Sequence, residues 1–410
     1  MPDTRIATTC CIAGGGPAGM MLGVLLARAG IDVVVLEKHA DFLRDFRGDT
    51  IHPSTLEIMH ELGWPDEFLT LPHQKALTLT GQVGDFTVTI ADFTHLPTHA
   101  KFLAIMPQWD FLNFLAARGA RYRGFSLRMR NSAAELIEEN GRVAGIVATS
   151  PEGRVEIRAD LVVGADGRHS TIRALAGLKV DALGAPMDVL WFRVSAAPGD
   201  RQQTGAHFDG GRIFVTINRG AHWQCAYVIA KATLDEIRAK GLPAFRDSVA
   251  AMAPFLAGRV GEIAGWDDVK LLTVAVDRMP VWHRPGLLCI GDAAHAMSPI
   301  GGVGVNLAVQ DAVAAANLLV APLRDRRLTD GDLQQVQARR MLATRVIQRL
   351  QVLVQNRIIS PVLGRTGTLK APLAVRFFQR FPVLRRLPAR LVGVGIRPEH
   401  VQTPEVQPAK

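Results

Sequence analysis

A chain of 410 residues is long enough for two or three domains with sizeable cores, and 48% hydrophobic with 21% charged residues fits neither a disordered nor a fibrous protein. The net charge of +9 is concentrated: Leu333 to Pro398 holds 13 Lys or Arg and no Asp or Glu, while the remainder is near neutral. No nucleic-acid motif and little aromatic interleaving accompany that stretch, so nucleic acid is set aside as a partner.

The apolar run from Ile12 to Ala27 is punctuated by Gly14, Gly15, Gly16, Pro17 and Gly19 and has no basic leader. It predicts strand, turn and helix rather than an export signal or membrane span. Thr8–Ala13 predicts a strand, Pro17–Ala27 a helix stopped at Gly30, and Ile31–Leu36 a β-branched strand buried on both faces. One βαβ unit of this kind implies a parallel sheet. The pattern then changes. Ala76–Thr80 and Phe86–Ile90 alternate around a glycine turn as a hairpin, and Asp110–Ala117 is helical. Arg142–Thr149 and Arg154–Ile157 predict a second hairpin, and Leu161–Gly164 a short buried strand. Alternating large residues from Asp188 to Ile229, such as Leu190, Phe192, Val194 and Ile213, Val215, Ile217, predict a separate antiparallel sheet. Leu287–Ile290 returns to a buried strand, followed by a helix over Val305–Leu319. Pro361, Pro372, Pro382, Pro388 and Pro398 are expected to cut the basic tail into short helices. Cys10, Cys11, Cys225 and Cys289 lack metal-ligand spacing. They are expected as reduced, buried thiols in a cytoplasmic protein, with no metal site.

Gly14, Gly16 and Gly19 form G-x-G-x-x-G between a strand and a helix, with Pro17 and Ala18 inside the motif. Such glycines permit a tight turn, backbone approach to a pyrophosphate, and close helix–strand packing, and the helix N-terminus favours the phosphates. Glu37, with Lys38 beside it, ends the next strand 23 residues after Gly14, where a carboxylate can bind a ribose. Two later segments favour FAD over NAD. They are ADLVVGADGRHSTIR from Ala159 and LCIGDAAHAMSPIGGVGVN from Leu288. In the second, Asp292 follows Gly291 at a strand end, and Gly301, Gly302 and Gly304 precede a helix N-terminus, a second place for bare backbone to meet a ligand.

Together these segments resemble the flavoprotein aromatic hydroxylases, the class A flavin monooxygenases related to para-hydroxybenzoate hydroxylase, over about residues 6–320. The resemblance implies that Gly14–Gly19 and Glu37 hold the ADP half of FAD. It places Arg47, in FRGDTIHPSTLE, near the pyrophosphate and ribityl chain, and Gln108 in contact with FAD. Asp166, Gly167 and Arg173 match a motif tied to FAD and NAD(P)H, and Asp292 matches the ribityl-binding aspartate. Pro299 and the loop Gly301, Gly302, Val303, Gly304, Val305 and Asn306 would lie against the isoalloxazine ring. There is no second nucleotide-binding fold, a lack the family shares, so NAD(P)H is expected as a transient reductant. The W-x-W-x-I-P signature of flavin halogenases is absent.

The expected fold class is α/β: a discontinuous Rossmann-like FAD-binding domain (1–75, 101–180, 271–325), an antiparallel β-sheet substrate domain (76–100, 181–270) and a C-terminal helical region (326–410). The implied reaction is hydroxylation of an aromatic or other unsaturated small molecule by O2 and NAD(P)H through a flavin hydroperoxide. Few catalytic side chains are needed; Pro299, Gly301 and Gly302 are the candidates, with backbone N–H groups near Gly301 and Gly302 stabilising charge on the reduced ring. With only Tyr122 and Tyr227, a tyrosine relay for phenol deprotonation is not expected. The pocket is expected between the ring and the second sheet, lined by Phe192, Arg193, His207, Phe208, Arg212, Phe214, Trp223 and Tyr227, with Arg193 or Arg212 for an anionic group. His52 and His295 read as cofactor donors or as structural histidines, and Asp311 as a helix-surface or packing residue. Two other functions stay open: an FAD reductase of isoprenoid or lipid double bonds, which needs no oxygen, and a non-enzymatic flavin-binding protein. The basic tail has two readings, a helical cap and a peripheral contact with anionic membrane that suits a lipophilic substrate. Oligomeric state has no sequence signal.

Overall fold

The computed structural model describes residues 4–43, 50–200, 204–365, 367 and 369–407. Five parallel strands form the centre of an eight-stranded main sheet, in the order Leu287–Cys289, Gly153–Gly164, Thr4–Ala13, Val33–Glu37 and Phe125–Met129. Cys10–Ala13 and Val33–Leu36 are buried on both faces, which is why their sequence is apolar without alternation. The helix Pro17–Arg28 packs on Gln108–Gly119 and on Gly304–Arg324. Gly153–Gly164 unites two expected elements in one strand. Its first half pairs antiparallel with Arg142–Ser150, its end pairs parallel with Leu287–Cys289, and its other side runs along Thr4–Ala13. Exposed Asp160 interrupts its apolar run, which is why it reads as two pieces.

The second sheet has seven strands, in the order Lys270–Leu272, Met187–Ser195, His222–Ala230, Arg212–Asn218, Gly205–Asp209, Thr78–Val83 and Phe86–Asp92. It is antiparallel except where Gly205–Asp209 runs parallel to Thr78–Val83, joining two parts of the chain that are far apart in sequence. The expected arm Ala76–Thr80 is divided. Gln74–Ala76 joins Leu103–Ile105 and Thr50–Ile51 in a small sheet, and only Thr78–Val83 enters the hairpin.

The tail departs most from expectation. The helix Asp330–Val354 opens with a capping box, in which Asp332 N–H donates to Thr329 Oγ1 at 3.3 Å and Thr329 N–H to Asp332 Oδ2 at 2.9 Å. It continues through a π turn, Gln355–Ile359, into Ser360–Leu363. Pro361 does not end it, because the wider turn just before absorbs the missing N–H. Short helices follow at Leu373–Arg380 and Arg386–Gly393, with a 3-10 turn, Pro382–Arg385, between them. The last described residues form an extended strap back across the first helix: Val406 N–H donates to Arg28 O at 2.8 Å, and Tyr122 Oη to Glu405 Oε1 at 2.8 Å. The stretch Ile300–Arg324 is long and apolar enough to cross a membrane, yet 83% of its apolar window is buried inside the protein, the signature of a core helix. All four cysteines are free and buried, and burial pushes the Cys11 thiol up to about 12.

Candidate active site

Four strands of the main sheet end along one edge. Ala13 is level with Leu36 and Gly164, and Gly164 with Cys289. The loops that leave them are stitched together by backbone: Gly14 N–H to Leu36 O at 2.8 Å, Ala165 N–H to Ala13 O at 2.8 Å, and Ile290 N–H to Gly164 O at 3.0 Å. The carboxyl edge of a parallel sheet is where open α/β proteins bind ligands.

In the first loop, a Cβ on Gly14 (φ 116°) would sit 2.2 Å from Ala165 O, and one on Gly19 2.0 Å from Gly14 O. These two glycines serve packing. A Cβ on Gly16 would meet nothing within 4 Å, so this backbone faces open space. No side chain caps the helix that begins at Pro17, and Ala18 is buried behind it. Its first amides are left to a ligand. Glu37 is held beside the loop by Gly15 N–H at 3.1 Å and His39 N–H at 3.0 Å, while Lys38 is exposed.

The next two loops are clamped to each other. Arg173 donates to Ala293 O at 2.9 Å and to Arg168 O at 2.8 Å. Arg168 lies 3.9 Å from Asp292. Asp166 faces its own loop: it accepts from Ser170 Oγ at 2.5 Å and from Ile172 N–H at 3.1 Å, so its carboxylate shapes the turn rather than standing open to a ligand.

Behind Asp292 lies a buried charge network that the sequence did not announce. Asp311 is 0% exposed and accepts from Gly291 N–H at 3.1 Å, His295 Nε2 at 2.5 Å and Arg340 Nε at 2.9 Å. Arg340 also reaches Glu399 of the strap at 3.4 Å. Burial alone would raise the Asp311 carboxyl; His295 and Arg340 outweigh it and hold it below the ordinary carboxylate range. Asp311 is therefore a central anchor and not a helix-surface residue. The available signal was a lone acid inside the apolar run Val305–Leu319.

The loop from Pro299 to Asn306 turns on two left-handed glycines, Gly301 (φ 77°) and Gly302 (φ 63°). Thr50 Oγ1 donates to Gly302 O at 3.2 Å, and a Cβ on Gly302 would sit 2.2 Å from that hydroxyl. Asn306 Oδ1 accepts from His52 N–H at 3.0 Å and Thr55 Oγ1 at 2.6 Å. His52 Nδ1 donates to Val392 O at 2.7 Å, and burial pushes its pKa down to about 4, so the ring is neutral. From the other side Gln351 Nε2 holds Ser298 O at 2.9 Å and Ile300 O at 3.0 Å. Gly302 N–H is spent on Pro299 O at 3.0 Å, which corrects the expectation that it points at a ligand. The helix Gly304–Arg324 has no capping side chain, so the amides of Gly304 and Val305, next to Val303, are the donors this loop offers.

A family model described as FAD binding domain (FAD_binding_3) matches residues 7–350. The 6-methylpretetramide 4-monooxygenase of Streptomyces rimosus is 31% identical over 392 residues, covering 95% of this chain and 93% of the relative. The chain belongs to the class A FAD-dependent monooxygenases. The 12-dehydrotetracycline 5-monooxygenase/anhydrotetracycline 6-monooxygenase of Streptomyces rimosus is 30% identical over 74% of this chain, which spans 60% of that relative's length. The solved p-nitrophenol 4-monooxygenase of Pseudomonas putida shares the fold, with a TM-score of 0.74 at 19% identity, covering 94% of this chain and 97% of that one.

FAD fits this monooxygenase on its own geometry: an open Gly16 backbone, two uncapped helix starts and two acids, Glu37 and Asp292, along one edge. Arg47 lies outside the described residues. Gln108 opens its helix half-buried, just after the strand that pairs with Thr50–Ile51.

The expected substrate wall needs correction. Phe192, Phe214, Trp223 and Tyr227 are buried under Phe245, Val249 and Leu256, on the face covered by residues 242–262. His207 Nδ1 meets Met252 O at 2.7 Å and Arg212 meets Ser248 Oγ at 3.4 Å on that same side. Strand side chains alternate, so the neighbours of these residues face the other way. The opposite face carries Val189, Trp191, Ile213 and Phe208, packed with Ile300 of the glycine loop. Of the expected wall, only Arg193 and Phe208 share that face. Four of the eight are core, and His207 and Arg212 lie half-buried on the same covered face.

Proposed function

We propose that this FAD-dependent monooxygenase takes electrons from NAD(P)H and uses O2 to hydroxylate an electron-rich aromatic or other unsaturated small molecule. Bound FAD supplies the redox and oxygen-activating chemistry. The chain's own contribution is to hold and shield it. The open Gly16 backbone and the uncapped helix at Pro17 would take the pyrophosphate, Glu37 a ribose, and Asp292 the polyol chain. The amides at Gly304 and Val305 would offset negative charge near the ring.

The observation that carries the substrate reading is the sheet face that meets Ile300: half-buried Trp191 and Phe208, in an apolar cluster with buried Val189, Ile213 and Ile359 of the tail, would give a flat, apolar molecule a wall that keeps water out. Relatives named for 6-methylpretetramide and p-nitrophenol support the same class. Membership of a monooxygenase family disfavours the reductase alternative. The test is a screen of aromatic compounds for faster NAD(P)H oxidation, followed by product mass under labelled oxygen gas. One oxygen atom from O2 is expected in the product. Incorporation from water, or turnover without oxygen, would overturn the reading.

A further inference from the structure

We propose that residues 373–387 form a docking surface for an anionic lipid bilayer. The helix Leu373–Arg380 is attached to the body by its polar side. Gln379 exchanges two hydrogen bonds with the backbone of Thr89, accepting from N–H at 3.1 Å and donating to O at 2.9 Å, and so covers the edge strand Phe86–Asp92. Leu373 and Phe377, four residues apart, share one helix face, and Phe381 follows directly after the helix end. All three are turned outward, with exposures of 82%, 62% and 45%. The rings of Phe377 and Phe381 touch each other, with centroids 4.9 Å apart. Val383 and Leu387 extend the patch at 59% and 75% exposure. A helix on a soluble protein normally buries such a stripe; this one turns half-buried Gln379 toward the body and presents Leu373 and Phe377.

Charge selects the occupant. Arg376, Arg380, Arg386 and Arg390 are exposed among these apolar groups, and no acid occurs between Leu333 and Pro398. A second copy of the chain would bring the same arginines against them, since a two-fold interface joins identical patches. Anionic headgroups neutralise the arginines while the phenylalanine and leucine side chains enter the interface. The segments concerned are short, so the surface lies on the membrane and does not cross it. The patch runs on into Arg386–Gly393, whose Leu391 and Val392 pack on Met297, Val303 and Leu307 around the glycine loop.

The experiment is flotation of the FAD-loaded full chain with vesicles of phosphatidylcholine alone or mixed with phosphatidylglycerol. The protein should float with the anionic vesicles at low salt and be released as salt rises. The exposed double variant F377S/L387S should bind roughly tenfold or more weakly while keeping its FAD content and melting temperature. R376Q/R380Q should be released at lower salt. A protein that stays unbound at low salt overturns the proposal. So does a double variant that binds as well as the parent, which would reduce the effect to diffuse charge, or a dimer in vesicle-free solution that this variant dissociates.

Discussion

Asp311 shows how one side chain can organise a site it does not line. Its carboxylate joins the Gly291 turn, His295 and Arg340, all removed from water. D311A would leave the Gly291 amide without its acceptor and the buried Arg340 with Glu399 as its remaining acid, and removing one partner of a buried pair costs up to about 3–5 kcal/mol. The denaturant midpoint should fall accordingly, and FAD should dissociate more readily because the turn bearing Asp292 loses its anchor. His52 makes a pH-dependent contribution. Burial holds its pKa at about 4, below the ordinary histidine value of 6.5. The unfolded chain therefore takes up the proton first. The stability is fully present above pH 6.5 and is lost as pH falls from there through about 4. Melting temperature should drop across that window, and H52N, which retains a donor for Val392 O, should flatten the drop. An unchanged slope in H52N would remove His52 from the account.

At the scale of elements, the helix Asp330–Val354 and its π-turn extension act as a polar rack. Gln348, Gln351 and Gln355 are buried and grip residues 277–300 by backbone and hydroxyl: Gln348 Nε2 reaches Asp277 O at 2.7 Å, and Gln355 Nε2 reaches Ser298 Oγ at 2.9 Å. Q351A strips partners from Ser298 and Ile300, at about 1–3 kcal/mol for each group left unsatisfied. Hydrogen exchange should speed up at residues 298–302 in particular, where a merely global loss would raise it everywhere. The second sheet gives the complementary test. F192A empties a core position and should cost about 3–5 kcal/mol in stability, with little change in KM for a substrate found by the screen. W191A, one residue away on the opposite face, should change KM more than it changes stability. If F192A moved KM and left stability alone, the assignment of faces would be reversed.

Across the whole molecule, tail helix and glycine loop close on one cofactor edge, and the strap ties that tail helix to the far end of the first helix, so cofactor binding and folding are coupled. Glu399 is buried against Arg339 and Arg340, and Arg28 of the first helix holds Thr403 O at 2.8 Å, ends of the chain 375 residues apart. Free FAD at a hundred times its Kd should raise stability by about 2.7 kcal/mol. D292A removes a charge-assisted hydrogen bond of about 1.5–3 kcal/mol, so FAD affinity should fall by roughly tenfold or more, a larger effect than the loss of its Arg168 contact has on the apoprotein's melting temperature. Equal FAD affinity in D292A and the parent would remove Asp292 from the cofactor site.

The cofactor class was legible in the residues because glycine requirements are local. Gly14, Gly16, Gly19, Gly301 and Gly302 each mark a place where a side chain cannot be tolerated or backbone must stay bare, and the strands beside them carry the apolar runs of a buried sheet. What stayed hidden depends on partners far away in sequence. The alternation in Met187–Ser195 announces a strand with two faces, but only the docking of residues 242–262 decides that Phe192 is core and Trp191 faces the glycine loop. Likewise the tail's prolines suggested breaks, and its arginines a solvated surface. Buried Arg340 and the glutamines that follow it acquire their meaning only when the helix is laid against Asp311 and the backbone of residues 277–300. A residue's own chemistry and spacing determine which local structure it can adopt; which of its faces meets water, core or ligand is set by the element packed against it, and that pairing is a property of the folded chain.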